Sequence, residues 1–79
     1  LMADLNRRRV AKNHEIAVSL SGDGERASIF VKAPSGRGTH EVVEISALLD
    51  GGMSEGEALD FIAKVVEIGV MSSTEFGNG

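Results

Sequence analysis

Two runs, HEIAVSL over 14–20 and ASIFVKA over 27–33, alternate apolar and polar residues, and the segment SGDGE lies between them. Alternation with a period of two puts successive side chains on opposite faces, the pattern of a half-buried strand. Ile16, Val18 and Leu20 share one face of the first run, and Ile29 and Val31 one face of the second. Gly22 and Gly24 supply the positive φ a short turn asks for, so the pair reads as a β-hairpin. Pro34 has no N–H to give a ladder and should end the second strand. A chain that commits this much of its apolar content to a hairpin must find a third layer or element to cover it.

THEVVEIS, 39–46, reads as a strand through the β-branched cluster Val42, Val43 and Ile45, and as a helix through Val42, Ile45 and Leu49. The β-branched content favours a third antiparallel strand over 40–46. SALLDGG would then be a single helical turn ended by Gly51. Ser54 followed by Glu57 is a capping box, and it opens an amphipathic helix over 54–68 with Gly69 placed as its C-terminal stop. The expected fold is therefore α+β: a three-stranded antiparallel sheet, hairpin plus third strand, with one main C-terminal amphipathic helix packed on it. The alternative is a β-hairpin followed by a helical hairpin.

At about 100° per residue, Glu57, Asp60, Lys64 and Glu67 form one narrow charged stripe on that helix. Ala58, Leu59, Phe61, Ile62, Ala63, Val65 and Val66 fill an arc of roughly 200° opposite. A three-stranded sheet covers so wide an arc poorly. Part of it is expected to meet a partner, with Glu57, Asp60, Phe61, Lys64, Val66 and Glu67 as the candidate partner-binding residues. The competing reading is that Val70, Met71, the short 46–51 turn and a folded-back N-terminal segment cover the excess.

Seventy-nine residues make one small domain, near the size at which burial alone stabilises marginally. There is no cysteine, which removes disulfides, thiolate zinc sites and thiol nucleophiles. His14 and His40 lack metal-ligand spacing and read as surface residues at strand ends. No nucleophile elbow or phosphate-loop spacing occurs, and PSGRGTH, 34–40, reads as an inter-strand loop rather than a phosphate cradle. No catalytic residue, cofactor or metal is expected. No run reaches the length of a membrane span and nothing reads as a signal peptide, so the expected location is cytoplasmic. Leu1 ahead of Met2 reads as an addition to a chain beginning at Met2.

Charge is unevenly placed. Residues 1–14 hold Arg7, Arg8, Arg9 and Lys12 against Asp4, whereas residues 15–79 hold Arg26, Lys32, Arg37 and Lys64 against eleven acids. The expected organisation is a basic N-terminal arm or short helix over 1–13, a domain over 14–71 and a flexible tail over 72–79 in which Phe76 is the one anchor. Gly51 between two apolar runs outlines a helix-turn-helix. Glu57 then stands where the motif needs an apolar residue, and Glu55, Glu57, Asp60 and Glu67 would face the phosphates, which disfavours DNA reading. Acids gathered in the second half allow a nucleic-acid-mimicking surface. By size and economy the chain is similar to small phage or mobile-element accessory proteins. The expectation is a non-enzymatic protein-binding module, an accessory or inhibitor protein and plausibly a homodimer. Its alternative is a small dimeric nucleic-acid-binding regulator using Arg7, Arg8, Arg9 and Lys12.

Overall fold

A computed structural model describes residues 5–72. The expected tail, Phe76 included, lies outside the described residues apart from Ser72. The elements are β1 (Asn6–Ala11), β2 (His14–Leu20), β3 (Arg26–Lys32), β4 (Gly38–Glu44), α1 (Ser46–Asp50) and α2 (Glu55–Ser72). The strands form one antiparallel sheet in the order β1-β2-β3-β4. The class is α+β with a C-terminal helix, and the expected count of three strands is corrected to four. The added strand comes from the segment read as an arm, where Arg7, Arg8 and Arg9 pair with Val18, Ala17 and Ile16. The helical-hairpin alternative is excluded, because Gly38–Glu44 pairs along its length with β3.

β1 and β2 are joined by Lys12 and Asn13 alone, both at positive φ (50° and 62°), as a two-residue hairpin turn of the right twist demands. Asparagine tolerates that region; lysine occupies it at some cost. The turn is closed from below by His14. This histidine is buried, not at the surface as expected, and its Nδ1 donates to the Lys12 carbonyl at 2.9 Å. The other two hairpins share a second device, a four-residue turn ending in a glycine at positive φ. In one, Gly24 (φ 74°) donates to the Ser21 carbonyl; in the other, Gly36 (φ 96°) donates to the Ala33 carbonyl, with Pro34 fixing the turn's second position.

In the first of these turns the Asp23 carboxylate accepts from the Ser21 hydroxyl and from the Glu25 N–H. The hydroxyl chiefly, the backbone N–H next and Arg26 behind them hold the carboxyl below the usual aspartate range. A group depressed in the folded state stabilises fully above its unfolded value and stops doing so as pH falls through the folded one. An NMR titration should therefore place the Asp23 midpoint below the ordinary aspartate range, and Ser21→Ala should return it most of the way. An Asp23 midpoint unmoved by Ser21→Ala would remove the hydroxyl as the cause.

The core lies between α2 and one face of the sheet. Ile16, Val18, Ala27, Val31, Ile45, Ala58, Leu59, Ile62, Ala63 and Val70 are all buried there. Ala58 and Ala63 let the helix axis approach the strands closely. α1 ends at Asp50 with Gly51 as its C-cap, as expected, and Gly52, at φ 108°, then turns the chain. α2 begins as expected, with the Ser54 N–H donating to Glu57 Oε1 at 2.9 Å and the Glu57 N–H to Ser54 Oγ at 3.1 Å. It does not stop at Gly69 but runs to Ser72, because Val70 beyond the glycine is fully buried and holds the last turn against the sheet. No helix of the described residues is long and apolar enough to cross a membrane.

Candidate functional site

Strand alternation divides the arginines. Arg7 and Arg9 stand on the face beneath α2, and Arg8 stands on the other. Arg7 Nε donates to Asp60, and Arg9 Nη1 donates to Glu67 Oε1 at 2.9 Å. A Cβ on Gly56 would lie 3.0 Å from Arg7 Nη2, so this glycine is what lets the guanidinium rest against the first turn of α2. Both pairs are partly exposed, and such pairs contribute about 0–1 kcal/mol each. Their larger effect is on geometry. Asp60 and Glu67 stand seven residues apart on one edge of α2, so pairing them with alternate residues of β1 sets the rotation of the helix about its axis.

The residues expected to meet a partner therefore separate. Glu57 is used in the cap, Asp60 and Glu67 are used by β1, and Val66 packs half-buried against the core. Phe61 and Lys64 remain exposed. Among the four basic candidates, Arg7 and Arg9 are engaged by α2, Arg8 lies on the far face of the sheet and Lys12 in the turn.

With one edge of α2 fixed over β1, its opposite flank is turned toward the β3–β4 side of the sheet. That flank is apolar. Phe61, Val65 and Ile68 lie within about 60° of one another on the helix, with exposures of 47%, 50% and 54%, whereas Met71, four residues on from Glu67, belongs to the acid-bearing edge. α2 packs along β1 and β2, and on the same face of β4 Thr39 and Glu41 are exposed. Ile29 and Val43 are half-buried on that face. Neither Lys64 on the helix nor Glu41 on the strand has an ion pair among the described residues.

Val65 and Ile68 are thus the surface residues of this flank that sequence reasoning did not separate out. The signal was present, since 61, 65 and 68 follow the i, i+4, i+7 rule. Without β1 there was no way to tell which side of the wide arc was already covered. As to chemistry, no three His, Asp or Glu of the described residues converge as metal ligands. No family model, no curated protein and no solved structure matches the chain.

Proposed function

We propose that the chain is a small protein-interaction module that acts by contact rather than by chemistry, and that its first partner is a second copy of itself. The observation that carries this reading is the apolar flank Phe61, Val65 and Ile68, turned away from β1, together with the exposed β4 residues Thr39 and Glu41 on the same face of the sheet. Four strands span about 19 Å, whereas one helix covers about 10 Å, so a four-stranded face has room for two long helices and the described residues supply one, α2. The α2 of an inverted copy fills the vacancy, and by two-fold symmetry each chain covers the other. Lys64 of one copy then faces Glu41 of its partner, which pairs two charges that lack ion-pair partners within the chain.

A module of this kind suits an accessory or inhibitory role in the cytoplasm, of the sort small phage or mobile-element proteins fill, in which a compact dimer occludes or bridges a larger protein. The mimicry reading draws less support, because Asp60 and Glu67 are neutralised by Arg7 and Arg9. Light scattering over a range of concentrations tests the proposal. The expected mass is twice the 8.3 kDa of the chain, falling towards it on dilution. A monomer at every concentration overturns it.

A further inference from the structure

The face of the sheet turned away from α2 carries no other element among the described residues. One row across its four strands reads Arg8, Ala17, Phe30, His40, and the next reads Val10, Glu15, Lys32, Gly38. Phe30 is 47% exposed, and its ring lies flat against the His40 imidazole, with centroids 4.2 Å apart and planes 3° from parallel. Between Phe30 and Arg8 stands only the methyl group of Ala17. That leaves a gap two strand spacings wide, about 10 Å. The gap belongs to a depression of about 510 Å³ whose wall includes Arg8, Val10, Lys32, Gly36 and Gly38.

We infer that this depression binds single-stranded nucleic acid, with one base seated over Ala17 between the Phe30 ring and the Arg8 guanidinium. Flat π-faces stack on aromatic rings and on guanidinium planes whatever the base, and the Phe30–His40 pair presents such a platform already held rigid. Lys32 and Arg37 form no ion pair among the described residues and are available to backbone phosphates, and Arg8 is likewise unpaired and free to stack. The net charge of −4 conceals this, because the acids gather elsewhere. Glu41, Glu55, Glu57, Asp60 and Glu67 belong to the side of the sheet that carries α2, whereas the bare face sets Arg8, Arg26 and Lys32 against Glu15 and Glu44. Glu15, directly across from Lys32, is the one acid in the wall, and it accepts from the exocyclic amino group of a seated base. A duplex keeps its bases stacked on each other and has none to offer the gap.

The chain has no Trp or Tyr, so Phe30→Trp places a single fluorophore at the stacking position. A short oligocytidine is expected to quench it saturably at low ionic strength. On the unsubstituted protein, anisotropy of the fluorescein-labelled oligomer should rise, and a duplex of equal length should compete poorly. Two phosphate contacts give a slope of log K against log salt of about −1.4. Phe30→Ser and Arg8→Glu, both at exposed positions, should each weaken binding about tenfold or more while circular dichroism stays unchanged. Absence of any anisotropy change at low salt overturns the inference, as does equal binding of duplex or unaltered binding by both folded variants. Phe61→Asp, on the other side of the sheet, should leave oligomer binding per chain as it was.

Discussion

Leu59→Ala is expected to lower the melting temperature by about 10–30 °C and to leave much of the chain unfolded at physiological temperature. Leu59 is fully buried and belongs to a short set of large buried side chains, with Ile16, Ile45, His14, Val18 and Val70. Truncating a buried leucine costs about 2–5 kcal/mol, made of lost transfer energy and of the cavity left behind. The upper part of that range applies where neighbours cannot collapse into the space. Ala58 and Ala63 flank Leu59 on α2 and have no atoms to move into it, and Ile16 and Val18 are held by ladder bonds on both sides. A domain of this length has a total stability of about 4–12 kcal/mol, so the loss is a large fraction of it. A thermal scan by circular dichroism reads the result. A shift of less than about 4 °C, equivalent to under 1 kcal/mol, would mean that α2 does not rest on Leu59.

The hairpin and the helix were legible in the sequence because each obeys one local rule: alternation in 14–20 and 27–33, and a capping box before a 3.6-residue period in α2. β1 was not, and the reason is physical. Its inward positions are Arg7, Arg9 and Ala11, so alternation is present in space but absent in hydrophobicity. What replaces apolar burial there is a pair of ion pairs to residues more than fifty positions away, Asp60 and Glu67, which no local window contains. Its turn, Lys12-Asn13, also lacks the glycine that marks a two-residue hairpin most clearly. Three consecutive arginines therefore read as a basic arm, whereas all three pair with β2, Arg7 and Arg9 facing α2 and Arg8 the opposite side of the sheet.

The remaining misreadings follow from that one. With β1 unseen, Asp60 and Glu67 read as part of a stripe open to a partner, whereas Arg7 and Arg9 of β1 take them up. His14 seemed to sit at a free strand end, whereas it follows a tight turn and is covered. Gly69 stopped the helix on local propensity, whereas tertiary packing of Val70 carried it on. β4 and the α1 turn were placed within two residues of their positions, since the β-branched cluster Val42, Val43 and Ile45 and the glycines at 51–52 act locally.

Ile68→Asp and Phe61→Asp are each expected to leave the fold intact and to weaken self-association by more than about 100-fold. Each side chain is about half exposed in the single chain, so an interface has about half of its transfer energy still to gain, about 1 kcal/mol per residue. Two-fold symmetry doubles each loss, and two aspartates brought into an apolar contact add their own desolvation. On a solvent-facing flank the same substitutions change helix propensity by only a few tenths of a kcal/mol, which separates dissociation from unfolding. Val10→Asp supplies the control. Val10 is, among the described residues, the most exposed large apolar one at 69%, but it lies on the bare face of the sheet, and its replacement should not alter the mass. Charge exchange tests the geometry more closely. Lys64→Glu should weaken the dimer by placing like charges against Glu41 of the other copy, Glu41→Lys should weaken it likewise, and the double exchange should recover most of the loss. Recovery requires that the two residues meet across chains, because within one chain they are not paired. If both single variants weaken association and the double exchange recovers none of it, α2 pairs with some part of the second copy other than β4. If the aspartates leave the mass unchanged, the flank has no partner of its own kind.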